Sequence, residues 1–172
     1  MGTTSARRRR WTAGVVGVLA LAATAGGAQA SPNDVGPRVR VATGTFSVTE
    51  FSIVPYQQLD NGAALNRFHA SDVFQGDIKG TGSAEAQMLT RPDGTSNEAG
   101  LIHVVGSLHG RRGSFVIQTI SSSDGNTARS SWTVLEGTGT GQLTGLKGRG
   151  SETAVNNGGS WSARYELNYY FG

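Results

Sequence analysis

Residues 160–171, SWSARYELNYYF, carry the alternation that decides the fold. Successive side chains of a β-strand point to opposite faces, so apolar residues at every second position indicate a strand with one face on a core. The predicted inner face carries Trp161, Ala163, Tyr165, Leu167, Tyr169 and Phe171. The predicted outer face carries Ser160, Ser162, Arg164, Glu166, Asn168 and Tyr170.

Shorter stretches with the same alternation precede this strand. We predict strands over 39–43, 45–54, 65–74, 76–88, 99–108, 114–121, 129–135, 142–147 and 151–155. Turn sequences separate them, such as Pro92-Asp93-Gly94 and Asn157-Gly158-Gly159, in which proline presets φ and glycine accepts positive φ. Glycine supplies 21 of the 142 residues from position 31 onward, which disfavours long helices. About eight strands joined by tight turns predict a barrel or a sandwich, and closure into a barrel would remove exposed edges.

The first thirty residues have the three parts of a signal peptide. Arg7–Arg10 are consecutive positive charges, 13–28 is an uncharged and mostly apolar run, and Ala28-Gln29-Ala30 offers small residues for cleavage. The apolar run is shorter than a membrane-spanning helix and is diluted by glycine. We therefore expect a secreted protein, cleaved near Ala30, with no stable membrane anchor afterwards. The arginines leave both the general and the twin-arginine export routes open.

The basic character of the chain belongs largely to this leader. The whole chain has 15 basic and 12 acidic residues, and Arg7–Arg10 are four of the basic ones. The remaining 11 basic residues face 12 acidic residues, without the concentrated basic face that nucleic-acid binding requires. Cysteine is absent, which excludes disulfides and thiolate chemistry. We expect no nucleic-acid partner.

Four segments of the chain resemble segments of a known family. They are FSVTEFSIVPY (46–56), FQGDIKGTGSAEAQM (74–88), GSLHGRRGSFVIQ (106–118) and WTVLEGTGTGQLTGLKGRG (132–150). In order and spacing they resemble the bacterial "domain of unknown function 3224" family over roughly residues 43–170. The chain departs from that family's usual pattern at Thr119, where the family has histidine, and at Glu136, where it has proline.

The resemblance implies an all-β, eight-stranded antiparallel barrel with a small lumen, similar to the allene-oxide-cyclase-type and lipocalin-like barrels. It implies no established reaction. The expected organisation is a signal peptide over 1–30, a flexible N-terminal arm over 31–42 and the barrel domain over 43–172. Barrels of this kind often form dimers or trimers, so a homo-oligomer is a further expectation.

Five residues are candidates for a ligand site in the lumen. Glu85 matches a recurrent acid of the family, although its alternation with Ala84 and Ala86 points it outward. His103 shares a face with apolar neighbours, and Gln118 could hold a ligand carbonyl if its face is the inner one. Trp132 and Tyr165 complete the set. We assign no catalytic residue.

Cofactor and metal chemistry find little support in the sequence. The three histidines are widely separated and have no carboxylate at ligand spacing, so we predict no metal site. The GTGTG run at 137–141 is not followed by a helix that could present its N-terminus to a phosphate. No hydrolase signature surrounds Ser114. We expect no cofactor.

Three functions remain open at this point. The favoured one is a secreted barrel that holds a small apolar or amphipathic ligand in its lumen. The second is a cofactor-independent isomerase or cyclase, which would orient a hydrophobic intermediate by shape. The third is a structural or oligomer-forming secreted protein.

Overall fold

The described part of the chain forms a closed antiparallel barrel. The computed structural model describes residues 36–172, and the predicted signal peptide lies outside the described residues. The strands are β1 (Arg40–Gln58), β2 (Ala64–Gly76), β3 (Ile78–Thr90), β4 (Ser96–Leu108), β5 (Arg111–Ser123), β6 (Thr127–Val134), β7 (Leu146–Asn157) and β8 (Ser160–Phe171). Each strand pairs with the next, and β8 pairs with β1. The predicted all-β fold with eight antiparallel strands is confirmed.

The inner face of β8 is the one that its alternation predicts. Ala163, Tyr165, Leu167 and Tyr169 are all buried, whereas the residues between them are exposed. The strand pairs with β7 along its whole length and with the first eight residues of β1. Its apolar face therefore lies inside a closed ring rather than between two sheets.

Two boundaries differ from the sequence-based expectation. The flexible arm is predicted over 31–42, but its described part covers only residues 36–39. It ends there because Arg40–Ala42 already pair with β8 and Ala42 is fully buried. The strand predicted over 142–147 is wrong in its first half, since Gly141–Leu143 form a short 3₁₀-helix. Leu143 is buried there by packing at the barrel end, so it anchors the connection without pairing.

The two ends of the barrel differ. At one end the long connection between β6 and β7 tucks Leu143 into the core, beside buried Ile78, Leu108 and Tyr169. At the other end the strands are joined by short hairpin turns around Gly62, Gly94, Gly125 and Gly158. The first end is filled with side chains, and we call it the closed end; the second is the open end.

Four aromatic rings cross the middle of the lumen as one layer. Trp132 stacks between Phe46 and Tyr165, with ring centroids 6.1 Å and 5.9 Å away. Phe74 packs against Phe46 at 4.9 Å and against Tyr165 at 5.9 Å. This aromatic layer of Phe46, Phe74, Trp132 and Tyr165 separates the packed closed end from the space above it.

A glycine makes room for part of this layer. The Tyr165 hydroxyl accepts a hydrogen bond from the Ile78 amide at 2.8 Å, and it lies against Gly44 of β1. A Cβ on Gly44 would collide with that hydroxyl and with the Gln75 carbonyl oxygen. Position 44 therefore has to be glycine for the phenol to reach across the strand.

Strand β1 continues beyond the ring. Its pairing with β8 ends at Ser47, whereas its pairing with β2 continues to Gln58. A register shift between Val48 and Glu50 bends it there, as a β-bulge does. Within residues 36–172, no helix is long and apolar enough to cross a membrane.

Candidate functional site

The open half of the lumen contains a cavity of about 260 Å³. It lies above the aromatic layer, and Phe46 contributes to its floor. Gly94 and Gly125, from two hairpin turns of the open end, line its mouth. The wall is mostly apolar and includes Phe51, Ile53, Phe68, Met88, Ile102 and Trp161.

Small residues on neighbouring strands create this space. Ala70 of β2 and Ala84 and Ala86 of β3 are buried where larger side chains would fill the lumen. Gly82 lies one step closer to the floor, where an added Cβ would come within 2.8 Å of the Phe74 ring and 3.3 Å of the Asp72 Cβ. The cavity is thus built into the backbone and needs no rearrangement to exist.

Three carboxyl groups enter this apolar cavity from separate strands. Asp72 of β2 lies between Ala70 and Phe74 on the inner face, and it is only 4% exposed. Glu98 of β4 and Glu152 of β7 also line the cavity and are partly buried. We call these three residues the lumen carboxyls. Among the residues described, no three acidic or histidine side chains are arranged to hold a metal ion.

Burial dominates the electrostatics of the lumen carboxyls. Desolvation raises the pKa of Asp72 to about 6, against a smaller opposing effect of His69. Desolvation also raises the pKa of Glu98 to about 7, with a further contribution from the Asp72 charge. It raises the pKa of Glu152 to about 7, where a hydrogen bond from Ser130 opposes the increase and the other two carboxyls add to it. The three groups therefore exchange protons near neutral pH.

A chain of hydroxyl groups reaches one of these carboxyls. Ser121 and Ser130 are 2.7 Å apart between their hydroxyl oxygens, and the Ser130 hydroxyl donates to Glu152 Oε1 at 2.7 Å. The second oxygen, Glu152 Oε2, is buried with no hydrogen-bond partner in the described part of the chain, and so is Trp132 Nε1. Such orphaned atoms are uncommon in folded proteins.

Three of the predicted site residues direct their side chains away from the lumen. Glu85 borders the cavity, but its side chain is exposed and its Oε1 is 2.8 Å from Nδ1 of His69 on the neighbouring strand. His103 and Gln118 are exposed on the outer face of β4 and β5. The expectation that His103 and Gln118 face the lumen is wrong. The apolar residues on the same faces of their strands, such as Leu101 and Ile120, are themselves on the outside, at 45% and 58% exposure.

The other two predicted residues lie inside. Trp132 and Tyr165 are buried in the aromatic layer, at 1% and 4% exposure. The Tyr165 hydroxyl is directed to the backbone, accepting from Ile78 and donating to the Gln75 carbonyl at 3.4 Å. Both residues form the layer beneath the cavity rather than its wall, and their role toward a ligand stays a prediction.

The lumen carboxyls were missed by sequence reasoning, although a signal was present. Asp72 stands on the same alternation as Phe68, Ala70 and Phe74, and Glu98 stands on that of Gly100 and Ile102. An acid on an apolar face is the exception that marks a buried charge. The family resemblance points to a different acid, Glu85, whose side chain is on the exposed face of β3.

These features define a class of protein: a closed eight-stranded antiparallel barrel with one packed end and one apolar, acid-bearing pocket. The chain belongs to the family described as "Protein of unknown function (DUF3224)", whose model matches residues 42–169. It is similar to the crystal structure of a DUF3224 protein of unknown function from Shewanella oneidensis MR-1. The two share 26% sequence identity with a TM-score of 0.60, over 78% of this chain and 99% of that one. No curated protein matches the chain.

Proposed function

We propose that this protein holds a small apolar or amphipathic molecule in the open half of its lumen. The observation that carries the proposal is the preformed cavity of about 260 Å³ with mostly apolar walls in the open half of the barrel. Ligand pockets of roughly 300–1,000 Å³ are typical for drug-sized compounds, so the ligand is a small one. The aromatic layer stops it from passing through the barrel.

The pocket combines two kinds of surface, which favours an amphipathic ligand over a pure hydrocarbon. Met88, Ile102 and Trp161 offer apolar contact, whereas the lumen carboxyls and Ser121 offer polar contact. A few convergent polar groups in a mostly apolar pocket fix the orientation of a ligand. The polar groups come from β2, β4, β5 and β7, so a bound molecule would contact several sides of the wall.

Filling part of the cavity is expected to weaken this binding. Ala86 is buried on the inner face of β3, and Ala86→Leu would occupy part of the cavity. We expect binding of 1-naphthylmethanol, followed by its fluorescence, to weaken by about ten-fold or more, because a pocket discriminates strongly against lost volume. The matched control is Gln87→Leu, the same new side chain on the exposed face of the same strand.

Equal binding by both variants and the unmodified protein would contradict a lumen site, provided that circular dichroism shows Ala86→Leu to be folded.

A second candidate function is a cofactor-independent isomerase or cyclase. It is favoured by carboxyls with a pKa near 7 in an apolar cavity, since such groups suit general acid–base catalysis at neutral pH. Incubation with an apolar β,γ-unsaturated ketone tests it: a product of unchanged mass and altered chromatographic retention would indicate isomerisation, and a rate equal to that in buffer would contradict it.

We also propose that the barrel acts outside the cytoplasm. The support is in the sequence alone: Arg7–Arg10, the apolar run and the Ala28-Gln29-Ala30 ending. Expression of the full chain in a bacterial host is expected to release a protein beginning near Ser31 into the periplasm or the medium. Mass spectrometry of the fractions checks this, with replacement of Ala28 and Ala30 by bulky residues as the control. A full-mass chain that stays with the membrane would contradict cleavage.

A further inference from the structure

We infer that the ligand of this pocket carries a basic nitrogen, so that the barrel selects small apolar amines over neutral or acidic molecules of the same shape. The inference rests on the proposed function and names the chemical class that the cavity prefers. Three observations support it: the sign of the groups that line the cavity, the hydrogen bond that one of them lacks, and the apolar wall around them.

The charge lining the cavity has a single sign. Asp72, Glu98 and Glu152 contribute carboxyl groups, and Glu85 borders the cavity with its carboxylate on the exposed side. No lysine, arginine or histidine of the described chain lines the cavity. The basic group with the largest effect on Asp72 is His69, which lies on the outer face of β2, where Glu85 engages it at 2.8 Å. The lumen carboxyls thus have no cationic partner inside the barrel.

One of these carboxyls has a buried oxygen without a hydrogen-bond donor. Glu152 accepts from Ser130 through Oε1, which leaves Oε2 buried and unpartnered within residues 36–172. Asp72, on the same cavity, is only 4% exposed. Buried carboxyl oxygens nearly always have partners in folded proteins, so Glu152 Oε2 points to a molecule that supplies a donor.

An ammonium group matches what is missing. It brings a positive charge and three N–H donors on one small atom, whereas a hydroxyl group brings one donor and a carboxylate brings none. Hydrogen bonds to a charged group are roughly twice as strong as neutral ones. The apolar remainder of the ligand would contact Phe51, Ile53, Phe68 and Trp161 toward the mouth.

The protonation state of the lumen carboxyls determines how amine binding depends on pH. The titratable groups that enter the cavity are Asp72 from β2, Glu98 from β4 and Glu152 from β7. Glu85 of β3 borders the cavity, but its carboxylate is exposed and pairs with His69 on the outer face; β1, β5, β6 and β8 add no titratable group. A protonated carboxyl must lose its proton to bind an ammonium ion. Amine binding therefore strengthens as the pH rises from 5 to 8, and proton release accompanies it below pH 7.

Three probes of matched shape test the inference on the purified full chain. They are 1-naphthylmethylamine, 1-naphthylmethanol and 1-naphthoic acid, which present a cation, a neutral group and an anion on one ring system. At pH 8 we expect the amine to bind at least about ten-fold more tightly than the alcohol, and the acid to bind most weakly. In a protein with Asp72→Asn, Glu98→Gln and Glu152→Gln, the amine and the alcohol should bind within about two-fold of each other.

Glu166→Gln is the matched control, because it removes an exposed carboxylate on the outer face of β8, away from the cavity, and should preserve the preference for the amine. If the triple variant does not fold, Glu98→Gln alone should reduce the preference. Equal binding of amine and alcohol to the unmodified protein would overturn the inference while leaving the proposed function intact. An amine preference that survives the triple substitution would also overturn it. Failure of all three probes to bind would overturn both.

Discussion

Lowering the pH from 8 to 5 is expected to increase the free energy of unfolding of this barrel. The three lumen carboxyls have folded-state pKa values of about 6, 7 and 7, above the usual 3.8 for aspartate and 4.5 for glutamate. The folded state therefore binds protons more tightly than the unfolded chain. Stability contributed by these protons is greatest near pH 4, falls as the pH rises toward 7, and levels off above pH 8.

The size of this effect follows from the pKa shifts. One pKa unit corresponds to about 1.4 kcal/mol, and the carboxyls are partly solvated and influence one another, so the expected gain is on the order of 3–5 kcal/mol.

Two turn residues act in the opposite direction at lower pH. Hydrogen bonds from turn residues lower the pKa of Asp93 and Asp124, so protonating them destabilises the fold only below about pH 4.

Urea unfolding between pH 4 and 8 measures the effect, and substitution assigns it. Glu98→Gln should stabilise the protein at pH 8 and flatten the pH profile, because the amide carries no charge to desolvate. Glu166→Gln, on the exposed face of β8, should leave the profile unchanged. A free energy of unfolding that decreases steadily from pH 8 to 5 would show that the lumen carboxyls are not desolvated.

Trp132→Ala is expected to be the most destabilising single substitution in the aromatic layer. The indole is 1% exposed and packs against Phe46, Phe74 and Tyr165 at centroid distances of 5.9–6.4 Å. Removing a buried aromatic side chain costs about 3–5 kcal/mol, because apolar burial is lost and a cavity remains. That loss is a large fraction of the stability of a single domain.

Trp161→Ala provides the comparison for this prediction. Trp161 is also on the inner face of the barrel, but it lies at the mouth and is only partly buried. The same chemical change should therefore lower the denaturant midpoint much less at position 161 than at position 132. Similar shifts in the two variants would contradict the division of the lumen into a packed layer and an open cavity.

The alternation of side chains allowed most of the fold to be predicted from the sequence. The pattern of β8 gave its buried face correctly, because a strand with one face in water has a strict period of two. The strand prediction over 142–147 is wrong in its first half, because Gly141 and Gly145 adopt positive φ and turn the chain there. Leu143 and Leu146 are three positions apart, which does not fit the period of two of a single strand. Glycine-rich connections carry too few side chains for a reliable period.

The candidate site was harder to predict, for a physical reason. His103 and Gln118 share a strand face with apolar residues, but those faces are on the outside of the barrel. The sequence of an isolated strand does not show which of its two faces lines the lumen. Ser83, Glu85 and Gln87 formed a consistent polar face, so the outward direction of Glu85 could be read from its own strand. Asp72, Glu98 and Glu152 are on three different strands and come together only because the barrel closes. The sequence of any one strand therefore cannot predict that they meet.

The early end of the pairing between β1 and β8 has a consequence for hydrogen exchange. Only the first eight of the nineteen residues of β1 are held from both sides, and the rest is supported by β2 alone. The outer part of β1, which carries Phe51 and Ile53 of the cavity wall, has no hydrogen-bond ladder to β8, whereas β2 is paired with β3 along its length. Local opening of a segment held from one side costs less free energy than unfolding the ring, so we expect the amide hydrogens of 48–58 to exchange with solvent faster than those of 40–47.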